Sequence, residues 1–163
     1  MKRLLILPVL FFLIGFTVFA QDEMKMSVGL GPEWNMSSRS NFAGGVGFSF
    51  DYDLPVEAAP FAVGLIAFTS KNFYDNTVFV GAGTFRWYFL GKGDTNQRFT
   101  GFFAQAEVGT LLIFEYNETI PMFMGGLCGG YRQPLGTRFF VEPYGRLGYP
   151  FAFGVGALGG VRF

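Results

Sequence analysis

The chain has 163 residues and a formal net charge of zero; 50% of its residues are hydrophobic, 20% aromatic and 15% charged, and none is histidine. That length holds one domain, and the composition is too apolar for a disordered chain. Without histidine the usual general base and the commonest metal ligand are missing, and the charge balance gives no hint of a nucleic-acid surface.

The first twenty residues read as a leader. Lys2 and Arg3 form a basic head, Leu4 to Phe19 is almost wholly apolar, and Val18 and Ala20 supply the small residues of a cleavage site. The apolar stretch, interrupted by Pro8 and Gly15, is short for a helical span of about 20 residues. Cleavage after Ala20 leaves Gln21 first and a mature chain with ten basic and twelve acidic residues. Cys128 is the only thiol, so neither a lipid anchor at the cut nor an internal disulfide is available. No long apolar run follows residue 20, as a helical membrane protein would require.

Segments of period two, bounded by turn residues, number eight. The first, Met24 to Trp34, sets Met26, Val28, Leu30, Pro32 and Trp34 against Ser27, Gly29, Gly31 and Glu33. Asn35 to Asn41 reads as a loop. The second, Phe42 to Tyr52, opposes Val46, Phe48, Phe50 and Tyr52 to Gly45, Gly47, Ser49 and Asp51, and the prolines of Asp53 to Pro60 turn the chain. Phe61 to Thr69 is apolar on both faces, so its orientation stays open; a loop from Ser70 to Asn76 follows. Strand four, Thr77 to Phe89, sets Phe85, Trp87 and Phe89 against Thr84, Arg86 and Tyr88 and ends at a dense turn signal from Gly91 to Asn96.

Strand five, Arg98 to Phe114, alternates Phe102, Ala104, Ala106, Val108, Thr110, Leu112 and Phe114 with Phe103, Gln105, Glu107 and Gly109. After a loop from Glu115 to Thr119, strand six, Ile120 to Arg132, turns Phe123, Leu127 and Tyr131 outward. Gln133 to Thr137 reads as a tight turn. Strand seven, Arg138 to Tyr149, opposes Phe139, Val141, Leu147 and Tyr149 to Glu142, Tyr144 and Arg146, and Pro143 predicts a bulge because it lacks a ladder donor. A corner at Tyr149 and Pro150 leads to the last strand, Ala152 to Phe163. There Phe153, Val155, Ala157, Gly159, Val161 and Phe163 share an apolar face, while Gly154, Gly156, Leu158, Gly160 and Arg162 share a small one.

Eight such strands predict an all-β, eight-stranded antiparallel up-and-down transmembrane β-barrel over residues 21–163. Its interior is only just wide enough for side chains to fill, so glycines and the charges Asp51, Arg86, Glu107, Glu142 and Arg146 belong inside and the rings outside. Arg146 and Glu107 fall at one height and Arg86 and Glu142 lower, which predicts paired plugs, since a buried charge without a partner is costly. Trp34, Tyr52, Trp87, Tyr131 and Tyr149 are expected as an aromatic girdle at headgroup level.

No catalytic, cofactor or metal site is expected. Cys128, between Gly126 and Gly130, has no histidine partner and reads as a small packed residue. None of the glycine pairs at 44–45, 125–126 and 159–160 opens a helix or has the Lys and Ser/Thr of a phosphate loop. Glu115 and Glu118 are too few for an oxygen-bound cation, which takes six or more ligands.

The leader, the strand count and a last strand ending on a bare aromatic, Phe163, resemble the bacterial outer membrane protein β-barrel domain family, of the small OmpA- or OmpX-like type. Where that family prefers a glycine five residues before its end, this chain has Leu158. The resemblance implies a cell outer-membrane location and insertion by the barrel-assembly machinery, with Val161 and Phe163 in the assembly signal. It also implies outer-membrane lipid as surroundings and a role in envelope integrity, surface interaction or small-solute passage. Small barrels of this architecture that act on lipids rely on a histidine, so no such activity is carried over. A narrow pore or transporter and a periplasmic lipocalin-like carrier are the alternatives; no extracellular partner is implied.

Overall fold

A computed structural model describes residues 25–37, 42–55, 59–72, 77–89, 99–115 and 118–163; the expected leader lies outside them. Eight strands follow in chain order: β1 Met26–Ser37, β2 Phe42–Asp53, β3 Phe61–Asn72, β4 Thr77–Tyr88, β5 Gly101–Glu115, β6 Glu118–Leu135, β7 Phe139–Tyr149 and β8 Phe151–Arg162. Each pairs antiparallel with the next, and β8 returns to β1, closing the barrel. Closure leaves no free edge around the ring. At the seam Met26 and Phe163 exchange backbone hydrogen bonds of 3.0 Å in both directions, so the two ends of the barrel chain leave from one mouth.

The alternation read from the sequence is the alternation of the wall. Ser27, Asp51, Arg86, Glu107, Glu142 and Arg162 point inward and are buried, while Leu30, Phe85, Val108, Leu127 and Leu147 stand on the outside. The contrast is large: Leu65 is 60% and Leu127 68% exposed, against 1% for Glu107 and 0% for Arg132. The orientation left open for β3 is resolved, with Ala62, Ile66, Phe68 and Ser70 buried inside and Val63 and Leu65 outside.

Several strands outrun the loops expected at their ends. Asn35 is not in a loop but in β1, buried, with its Nδ2 donating to Glu33 Oε1 at 2.7 Å. β3 continues through the buried Ser70 to Asn72. β5 and β6 are joined by residues 116–117 alone, and β6 runs on to Leu135, leaving the turn to residues 136–138 with Gly136 at a φ of 76°. The bulge expected at Pro143 does not form. Pro143 opposes Ala157 in unbroken register with β8, and toward β6 the ladder omits two positions between Gly130↔Tyr144 and Gln133↔Val141 without slipping. The missing donor is absorbed as a gap in hydrogen bonding, not as an extra residue. A register shift falls instead between Met36 and Ser37, where β1 meets β8.

Glycine makes the narrow interior packable. Phe103, Phe140 and Tyr144 each lie over the glycine directly opposite on the next strand, Gly130, Gly160 and Gly156. A Cβ on Gly160 would come 2.2 Å from the Phe140 ring, and one on Gly156 2.4 Å from the Tyr144 hydroxyl.

Candidate functional site

The lumen is filled, and its filling changes character along the axis. Nearest the mouth where the termini meet, Arg162 faces Asp53 at 3.4 Å. Above them sits a neutral quartet of two arginines and two carboxylates. Arg86 Nη1 lies 3.2 Å from Asp51 Oδ2 and 3.0 Å from Glu142 Oε2, and Arg132 reaches the same two oxygens at 2.8 and 2.5 Å. Ser27 Oγ takes a further hydrogen bond from Arg132 Nη1 at 3.0 Å. The two guanidinium groups also lie against rings, Arg86 over Phe103 and Arg132 over Phe140, both at 4.2 Å, so their apolar faces are covered as their edges are paired.

Gln105 links this quartet to a second cluster. Its carbonyl accepts from Arg86 Nε at 2.7 Å, and its amide donates to Glu107 Oε1 at 2.7 Å. Arg146 then bridges two carboxylates, Nη1 to Glu33 Oε1 at 2.5 Å and Nε to Glu107 Oε2 at 2.7 Å, the latter an ion pair off the line of a hydrogen bond. Tyr144 donates its hydroxyl to Glu33 Oε2 at 2.5 Å. A void of about 20 Å³ lies among Glu33, Gln105, Glu142, Tyr144 and Arg146, room for about one water.

Toward the far mouth the filling becomes apolar. Ile66, Phe68, Val78, Val80, Ala82, Leu111, Met124 and Phe151 form one buried cluster, with Ile113 and Met122 packed on it. Arg146 marks the boundary, its guanidinium 4.9 Å from the Phe68 ring. The termini-side mouth is narrowed by Phe99, which comes in from the β4–β5 link and stacks edge-on against Tyr88 at 5.9 Å.

All five charges expected inside are there, and both expected pairs, Arg86 with Glu142 and Arg146 with Glu107, are in contact. Four partners were not assigned from the sequence: Glu33, Asp53, Arg132 and Arg162. Arg132 was within reach, because it lies four and eight residues from the inward Cys128 and Met124 on a strand whose outward set was Phe123, Leu127 and Tyr131. Asp53, a turn residue by its sequence context, lies instead at the end of β2, buried, one position beyond the expected strand end at Tyr52. Trp34, Tyr52, Trp87, Tyr131 and Tyr149 all stand on the outer face. Tyr52, Trp87 and Tyr131 lie toward the termini-side mouth, Trp34 and Tyr149 toward the far one. Val161 is outward on β8 and Phe163 is half-buried at the seam. Cys128 is buried, and no group of three or more metal-binding side chains forms among the described residues. The lumen carboxylates are held by guanidinium groups, so the arrangement braces the wall and blocks the bore.

These observations define a class: a closed eight-stranded antiparallel barrel with charges inside and apolar rings outside, the reverse of a soluble barrel. The fold is similar to the crystal structure of Neisserial surface protein A, with a TM-score of 0.56 and 12% identity over 84% of this chain and 94% of that one. No family model and no curated protein matches the sequence.

Proposed function

We propose that the protein is an integral outer-membrane β-barrel with a structural, envelope-integrity or surface-interaction role, and that it is not an enzyme. The observation that carries this reading is the inverted polarity of the wall. Exposed rings and aliphatic side chains stand on all eight strands, far more than the apolar patch of a few hundred Å² that soluble monomers tolerate. Hydrocarbon offers no hydrogen bonds, and a closed sheet needs none from it. The fold neighbour is by name a surface protein, which supports the same location.

On this reading the termini face the periplasm and the far mouth faces out, where the strands are joined by residues 38–41, 73–76, 116–117 and 150. Such short links leave the rim and the long β5–β6 hairpin as the surface a partner would meet. Insertion by the barrel-assembly machinery through Val161 and Phe163, and girdles of Trp34, Tyr52, Trp87, Tyr131 and Tyr149 at the lipid interfaces, belong to the same proposal.

Fractionation with heat-modifiable electrophoresis tests it. The protein is expected in the detergent-requiring outer-membrane fraction, with a mobility that shifts on boiling. Release with the soluble periplasm would favour a lipocalin-like carrier and overturn the reading. Planar-bilayer recordings separate the sealed barrel from a pore: a steady, large conductance of the intact protein would contradict the blocked lumen.

A further inference from the structure

Among the described residues, Gln105 is the one side chain hydrogen-bonded to both charge clusters of the lumen, to Arg86 on one side and to Glu107 on the other. The void of about 20 Å³ lies beside it. Arg86 and Glu142 of the quartet and Glu33, Tyr144 and Arg146 of the second cluster stand in its wall, so both clusters face one small space. A water needs about 10–15 Å³ of such space, whereas small organic ligands take sites of roughly 300–1,000 Å³. The size admits a water and nothing organic.

The wall offers donors and acceptors together. Glu142 accepts from Arg86 and from Arg132 on Oε2, which leaves Oε1 without a hydrogen bond among the described residues. Arg86 donates to them through Nε and Nη1, so the N–H groups of Nη2 remain. Tyr144 gives its proton to Glu33 and keeps its oxygen lone pairs, and Gln105 spends one amide N–H on Glu107 and has a second. Carboxylates in the wall oppose an anion, and guanidinium groups in the same wall oppose a metal cation. Such a lining complements a neutral molecule that donates and accepts at once. Gly47 also lines the void and keeps it clear. A Cβ there would come 3.0 Å from Glu33 Oε2 and 3.4 Å from the Tyr144 hydroxyl oxygen, with no backbone atom of another strand nearer than 3.8 Å.

We propose that this void is a binding site for one ordered water, which donates to Glu142 Oε1 and the Tyr144 oxygen, accepts from Arg86 or Gln105, and joins the two charge clusters into one network. The site lies inside the bore, so it stands apart from the membrane reading. Its test is water-to-protein NOE and ROE spectroscopy on the isotope-labelled protein folded in dodecylphosphocholine micelles. The inward Hα of Gly47 and the side-chain amide of Gln105 are expected to show NOE and ROE cross-peaks to water of opposite sign, the signature of a water that is held. Two substitutions at Gly47 give a second readout, the urea midpoint of unfolding. Gly47→Ala puts a methyl group against the void, so it should lower the midpoint and abolish the water cross-peak on Gln105. Gly47→Ser places a hydroxyl where the water donates and accepts, and should recover most of the lost midpoint. Simple crowding would rank them the other way, because serine is the larger. No water cross-peak at Gly47 in the starting protein, or a Gly47→Ser midpoint at or below that of Gly47→Ala, overturns the proposal. The starting protein decides the first point by itself, whether or not either variant folds.

Discussion

The two halves of the lumen solve one packing problem with opposite chemistries. On the termini side Asp51, Arg86, Arg132 and Glu142 fill the bore with charge, each covered by a counter-charge or a ring. On the far side Ile66, Phe68, Val80, Leu111 and Met124 fill it as an ordinary core would. The ionic half specifies which residues meet, because each guanidinium accepts few arrangements of carboxylate oxygens. The apolar half excludes water without such directionality. Their difference predicts different responses to substitution, measurable as urea unfolding free energies in phosphatidylcholine vesicles.

The largest loss is expected for Glu142→Ala, which strips a carboxylate from Arg86 and Arg132 together and leaves buried charge uncompensated, a cost of about 3–5 kcal/mol. A loss under about 1 kcal/mol would mean that water relaxes the quartet and that the two halves are not distinct in kind. Leu111→Ala, in the apolar half, should cost about 3 kcal/mol through lost burial and a residual cavity, with its partners unaffected by salt. Gly160→Ala tests the crowding between the halves and the wall: its Cβ would press on the Phe140 ring and the Val28 carbonyl, an overpacking worth about 1–3 kcal/mol. Smallest of all, Trp34→Phe on the outer face should change stability by no more than about 0.5 kcal/mol. A larger effect there would show the girdle position to be structural as well as interfacial.

The same contrast explains how much was legible in the residues alone. Where the lumen is ionic, a charged side chain every second residue among rings gives the inward face away, and Asp51, Arg86, Glu107, Glu142 and Arg146 could all be placed. Where the lumen is apolar, inside and outside carry the same residue types. β3 therefore had no readable orientation: Ile66 and Phe68 face the core, and Val63 and Leu65 beside them face out. Strand ends were the other weak point. Asn35 and Ser70 look like loop residues by composition, but each lies inside a strand and points into a filled bore. Pro143 shows the limit of a local rule: the barrel holds its register on both sides, so a missing donor costs one stretch of ladder without displacing the strand.

The central claim is that the wall meets hydrocarbon and the charges do not meet bulk water. Spin labels on Leu65→Cys and Leu127→Cys, in a Cys128→Ser background reconstituted in vesicles, test it most directly through collision rates with oxygen and with a water-soluble nickel chelate. We expect high oxygen and low nickel accessibility at both sites. Nickel collision rates equal to those of an aqueous protein surface at Leu65 and Leu127 would contradict it.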